Sequence, residues 1–322
     1  MFVAAGLLLG TGFARAQGDD WDRAEDTGAV EGPEPPAPEP AEPEADEAPE
    51  AEADGVEDEE MGPRLIGWVE GGLFVGTYTT LATTIDGASL SPMIGAAYAI
   101  TPEIRVGAQM GLALVIHSEV VGPATTEPGG TAFRFGNPMV SGEWLIERSG
   151  RTRYSLGAGI TLPVASEGSL SESFALQLAM GSRAAWDLWL WAPSRMSGVV
   201  SGRLDYDLND QLTVGADAAV AVLFYTGDGR GDTVAGGQAS ANIDYFLGSF
   251  VLGARLSLVL AGEGLLPDRK EVELAFMPHA RVALTEETFL SAAFVLNITS
   301  PYGFSFSDGK IWGVRVGFGA VL

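Results

Sequence analysis

The chain contains no cysteine in 322 residues. A disulfide framework, a cysteine–zinc site and a thiol nucleophile are therefore excluded. Histidine is nearly absent too: there are two, His117 and His279. Two lone imidazoles make a poor zinc site, and neither stands in a pattern that suggests hydrolysis. His117 and Ser118 are adjacent, so on a strand they point to opposite faces and cannot form a base–hydroxyl pair. No enzyme activity, metal or cofactor is expected. No run of 18 apolar residues occurs, which excludes a bundle of membrane-crossing helices. Basic residues are few, 18 against 43 acidic, for a formal net charge of −25. No basic patch offsets this, so nucleic acid would be repelled.

The acidity is unevenly placed. Residues 17–62 hold nineteen of the acidic side chains and one arginine. Their core, GPEPPAPEPAEPEADEAPEAEADGVEDEE, offers almost nothing apolar to bury. Such a segment is expected to be disordered and extended, a solvated spacer or a tail that binds a basic periplasmic partner or cations. Before it stands MFVAAGLLLGTGFARAQ, a short apolar run ending in an A-x-A pattern. Residues 1–16 therefore read as a secretory signal peptide.

From residue 63 to 322 the composition changes to glycine, alanine, valine and leucine with scattered aromatics. In EIRVGAQMGLALVIH (103–117) every even position is apolar, and the odd positions are charged, polar or small. That is the period of a strand with one apolar face, but it runs to about twice the usual strand length. The pattern recurs in SFVLGARLSLVL (249–260), QLTVGADAAVAVLF (211–224) and KIWGVRVGFGAVL (310–322). Twelve such segments are readable: about 65–78, 89–100, 103–117, 132–147, 152–164, 195–208, 211–225, 234–247, 249–261, 270–284, 288–299 and 310–322. The connections between them alternate strictly between tight and long.

An all-β architecture follows: a transmembrane antiparallel up-and-down barrel of about twelve strands. An even number of long strands with short turns at one end and long loops at the other is the pattern of barrels that cross a lipid bilayer. Closure satisfies every backbone group, as hydrocarbon requires. A soluble sandwich would use shorter strands and uneven turns. An even strand count places both termini on the periplasmic side. Tyr98, Trp144, Tyr154, Tyr206, Tyr245 and Phe250 fall near the short-turn ends on the apolar phase, as an inner aromatic girdle would. Trp312 and Phe224 would sit at the outer one.

On these features residues 63–322 resemble bacterial outer-membrane β-barrel proteins of Gram-negative cells. These proteins commonly end in an aromatic residue, where this chain has Leu322 behind Phe318 and Ala320. The hairpin FGNPMVSGEWLIERSGRTRYSLGAGITLPVA (135–165) is similar to one in barrels that take up fatty acids or aromatic hydrocarbons. The shared features are Gly136-Asn137, a tight charged turn and Leu162-Pro163 before a long loop. The resemblance implies residence in the outer membrane, among its lipid and lipopolysaccharide, and a role in transport.

Phase along each strand gives a lumen. Arg105, Arg153, Arg203, Arg255, Arg281 and Arg315 point inward with Glu70, Glu143, Asp205, Asp207, Asp217 and Asp244. Balanced charges in a modest bore suit a salt-bridged lumen more than a single-signed selectivity ring. Farther out, Val115, His117, Thr161, Leu223, Tyr225 and Asn297 form a candidate pocket for a small amphipathic solute, or a seat for an infolded loop. The loop 165–194 is long enough for that. A short helix capped by Ser173 is expected there, either folded into the mouth or lying at the interface through Trp186, Trp189 and Trp191. The loop TGDGRGDT (226–233) reads as a glycine-rich hairpin connection rather than a calcium site. The leading functional expectation is a channel or passive transporter for a small solute. The competing one is a closed structural barrel that anchors envelope partners through its tail or loops.

Overall fold

The computed structural model describes residues 64–79, 84–118, 120–121, 126–166, 168–227, 231–263, 265–266, 271–299 and 312–322. The expected signal peptide and acidic tail lie outside these residues, as does Asp228 of the glycine-rich loop. Twelve strands form one closed antiparallel barrel. They are β1 (Leu65–Thr79), β2 (Thr84–Ala99), β3 (Ile104–His117), β4 (Gly130–Phe135 continued by Met139–Ser149), β5 (Thr152–Thr161), β6 (Arg195–Asn209), β7 (Leu212–Tyr225), β8 (Val234–Leu247), β9 (Phe250–Ala261), β10 (Val272–Ala283), β11 (Thr288–Asn297) and β12 (Trp312–Val321). Each strand pairs with its sequence neighbours, and β1 closes the cylinder on β12, from Ile66 opposite Val321 to Phe74 opposite Gly313. The segment ends meet there: Leu65 and Leu322 exchange backbone hydrogen bonds of 3.0 and 2.7 Å.

The strand count and order agree with the sequence reading, and five tight turns fall at one end. The strict alternation fails once: pairing of β1 with β2 extends to Thr79 opposite Thr84 and leaves four residues between them at the other end, as few as between β10 and β11. The differences are at boundaries. The second strand begins at Thr84 rather than 89, the fifth stops at Thr161 rather than 164, and the fourth is broken at 136–138. Proline explains the break, since Pro138 has no N–H to give to a ladder. Below it, Ile104 to Gln109 pair with Trp144 to Met139; above it, Leu112 to His117 pair with Phe135 to Gly130, one residue out of step. The pairing of β4 with β5 runs from Ser149 only as far as Met139, opposite Thr161.

Side chains alternate as a lipid-facing cylinder requires. On β3, Ile104, Val106 and Ile116 face outward, while Gln109, Ala113, Val115 and His117 are buried inside. Val140, Leu156, Ile160, Val200, Val220, Leu252, Leu256 and Val316 continue the outward apolar belt round the barrel. A surface of this extent would be unstable in water and is matched by hydrocarbon. All eight girdle aromatics named above point outward.

The lumen is filled. Residues 165–194, between β5 and β6, fold back inside as helix α1 (Leu170–Gly181), a run of tight turns and a single 3-10 turn (Leu188–Leu190). The apolar core therefore lies inside the barrel. Trp186, Trp189, Trp191, Leu176 and Leu178 pack there against Phe74, Met93, Val115, Leu223 and Val259 of the wall.

Candidate functional site

The infolded segment is a plug, and its sequence explains why it lies in the lumen. In α1, buried Ala175, Leu176, Leu178, Ala179 and Met180 are spread round the helix rather than gathered into a stripe. An apolar face this broad cannot be left against water and is enclosed, while Ser171, Glu172, Ser173 and Gln177 stay half-buried. The interfacial alternative for the three tryptophans is therefore wrong: Trp186, Trp189 and Trp191 are 0–1% exposed, within the barrel. The cap is also displaced. Ser169, not Ser173, caps α1, in a reciprocal box in which Ser169 Oγ accepts from the Glu172 N–H and the Glu172 carboxylate accepts from the Ser169 N–H at 2.8 Å. The S-x-x-E spacing was readable in the sequence.

The wall holds the plug mainly through side chains. Asn137, in the break of β4, is the principal clamp. Its Nδ2 donates to the carbonyls of Trp189 (3.0 Å) and Ala192 (2.7 Å), and its Oδ1 accepts from the Ala165 N–H (2.8 Å). One buried amide thus binds both ends of the infolded segment. Around the rest of the barrel, Ser91 Oγ on β2 lies 2.8 Å from Ser182 Oγ, and Asn297 on β11 donates to the Gly181 carbonyl at 2.9 Å. Gln238 on β8 accepts from the Asp187 N–H and donates to its carboxylate, at 2.9 and 3.0 Å. Arg183 reaches Glu70 on β1, and Arg134 on β4 reaches Glu172. Gly111 on β3 makes room for the plug: a Cβ there would stand 2.3 Å from the Trp191 ring.

The plug backbone is strained. Ala184, Ala185, Asp187 and Ser194 have φ between 51° and 61°, the left-handed region that costs a non-glycine residue roughly 1–2 kcal/mol. Several such residues within eleven positions form a conformation that the surrounding contacts impose.

The expected lumen charges do face inward, in the short-turn half. Glu70 is held bidentately by Arg315 (3.0 and 2.5 Å) as well as by Arg183. Arg203 grips Asp205 with two bonds, 2.6 and 3.0 Å. Arg255 donates to Asp217 at 3.1 Å, and Arg153 to Asp207 at 3.0 Å. Asp244 takes His279 Nε2 at 2.7 Å and Asn242 at 3.0 Å. Arg105 stands opposite Glu143 in register, and Arg281 is buried opposite Ser291. Sequence phase alone missed Glu172, Arg183 and Asp187 because they belong to the plug, which has no strand phase. It missed Arg134 because the break at 136–138 moves the inward face of β4 from odd to even positions.

The outer pocket is not an open one. Val115 and Leu223 are buried in the cluster that includes the plug, and Asn297 is one of its anchors. Thr161 and Ser197 share a 2.7 Å hydrogen bond between their hydroxyls. Tyr225 lies under the Arg195 guanidinium. His117 Nδ1 meets the backbone carbonyl of its neighbour Ser118 at 2.6 Å. Val115, Leu223 and Asn297 thus seat the infolded loop, whereas the contacts of Thr161, Tyr225 and His117 are with the wall and its connections.

Glu172 lies on the plug, outside the spanning strands. The hydrogen bond from the Ser169 N–H, with Arg134 beside it, holds its carboxyl below the ordinary 4.5. The ionised form also favours the positive end of α1.

No protein-family model matches the chain, and no curated protein matches it significantly. Solved structures of similar shape are outer-membrane barrels. An outer membrane channel from Pseudomonas putida F1 superposes with a TM-score of 0.54 over 81% of this chain and 95% of that one, at 10% identity. The NanC porin gives 0.49 over 79% and 98%, at 8% identity. At such identity the likeness is one of fold: the chain has the closed barrel of outer-membrane proteins.

Proposed function

We propose that this protein is an outer-membrane channel for a small solute, shut in the described conformation by the plug at 165–194. The carrying observation is the way the plug is held. It enters no strand ladder of the barrel; hydrogen bonds and ion pairs from separate strands fix a backbone under strain. A permanent core would gain nothing from that strain, whereas a segment with two positions uses it to keep them close in free energy. The fold shared with a protein described as an outer membrane channel supports the same reading. By the rule that short turns face the periplasm, both ends of the barrel chain and the acidic tail lie there, where the tail meets an envelope partner.

The test is planar-bilayer recording of the purified full chain. Discrete, intermittent openings are expected, and Asn137→Ala should lengthen them. Silence of both proteins at all voltages would leave the closed structural barrel as the function.

A further inference from the structure

The plug carries an aromatic ring and a carboxylate on consecutive residues, Trp186 and Asp187, and the wall holds each with a different group. The Trp186 ring lies on the Arg255 guanidinium, with Cζ 3.8 Å from the ring centroid. The Asp187 carboxylate accepts from Gln238 Nε2 at 3.0 Å. Gln238 and Arg255 are both buried and project from the adjacent strands β8 and β9. The indole N–H of Trp186 and Nε of Arg255 are buried without a hydrogen-bond partner. The ring is therefore held through its face, by cation–π attraction and packing, a contact that any aromatic ring could make.

Withdrawing the plug would leave an asymmetric wall. Glu70, the wall carboxylate bound by the plug, keeps both hydrogen bonds from Arg315. Asp217 keeps Arg255. Arg134, by contrast, loses Glu172, and Gln238 loses the carboxylate it binds. The vacated space offers guanidinium and amide donors beside apolar Val115, Leu223 and Val259. Glu70 and Asp217 stay neutralised by wall arginines, and the acid beside the site is Glu273, buried on β10 opposite Val259.

We infer that Trp186-Asp187 is a tethered occupant of a solute site, and that the solute is a small aromatic carboxylate, its ring on Arg255 and its carboxylate on Gln238. Arg134 draws the anion in at the outer end. The inference rests on the channel reading above and names the solute class for it.

Reversal potentials in planar bilayers test it, with sodium benzoate and benzylammonium chloride gradients across the full-length wild type and the plug-freeing Asn137→Ala variant. Benzoate should permeate about tenfold better than benzylammonium, the scale of one charge-assisted hydrogen bond. Gln238→Glu keeps the side-chain size and puts a negative charge where the carboxylate binds, so it should abolish or reverse that preference. Arg255→Lys keeps a charge for Asp217 but loses the planar face, and should reduce benzoate permeation relative to chloride. Equal permeation of the two aromatic ions, or an unchanged ratio in Gln238→Glu, would overturn the inference while leaving a working channel. Absence of any current, even from Asn137→Ala, would instead overturn the channel reading.

Discussion

The two halves of the lumen are built on different principles. In the short-turn half, wall residues pair with wall residues: Arg203 with Asp205, Arg153 with Asp207, His279 with Asp244. In the outer half, the wall pairs with the plug: Asn137, Gln238, Asn297 and Arg134 all bind residues 165–194. The first set can be broken only by deforming the barrel. The second can be released by moving one segment. Glu70 belongs to both, bound by Arg315 from the wall and Arg183 from the plug, and so marks the boundary between scaffold and gate.

Substitutions in the two halves should therefore separate stability from opening. Asn137→Ala should have the largest effect on the gate. It deprives three backbone groups of their buried partner, each at about 1–3 kcal/mol, and single-channel open time should rise by about a hundredfold or more. Glu70→Gln should come next. Leaving two buried guanidinium groups without a counter-charge costs on the order of 3–5 kcal/mol, and should both lower the melting temperature in detergent and raise open probability. Asp205→Asn is the contrast. It should lower the melting temperature by a similar route, yet leave open probability within about a factor of two, since Arg203 holds it from the wall alone. An increase in opening equal to that of Glu70→Gln would erase the distinction between the halves.

Smaller effects sharpen the same comparison. Trp189→Ala removes a side chain that is 0% exposed in the plug. The cavity should weaken plug seating by about 3–5 kcal/mol before relaxation, seen as faster protease cleavage within 165–194 while the strands stay protected. Acid should act last and least. The Glu172 carboxyl titrates below its unfolded value near 4.5, so its contribution is complete above that pH. It is lost as pH falls through the lower folded value. Open probability should therefore rise only below about pH 4.5, and Glu172→Gln should remove that dependence.

The barrel was legible in the sequence because hydrocarbon imposes one rule on every strand: Ile104, Val106 and Ile116 must face it, so the period of two survives along each segment. The lumen charges followed from the same phase. The plug obeys no such rule. Its contacts join residues far apart in the chain, such as Glu70 with Arg183 and Asn137 with Ala192, and nothing in local spacing announces them. Signals were nevertheless present. Ser169 and Glu172 stand at capping-box spacing ahead of the apolar run, a stronger signal than the lone hydroxyl of Ser173. Pro138 marks the end of a ladder, and the inward glycine Gly111 marks a place where a bulky ring approaches the wall.

The most direct measurement exploits the absence of native cysteine. Ser91 and Ser182 hold their hydroxyl oxygens 2.8 Å apart across the wall–plug boundary, so Ser91→Cys with Ser182→Cys places two thiols within disulfide reach. Under oxidising conditions the double variant should be silent in planar bilayers, and reductant should restore wild-type openings. Undiminished conductance in the fully cross-linked protein would contradict a plug that gates the lumen.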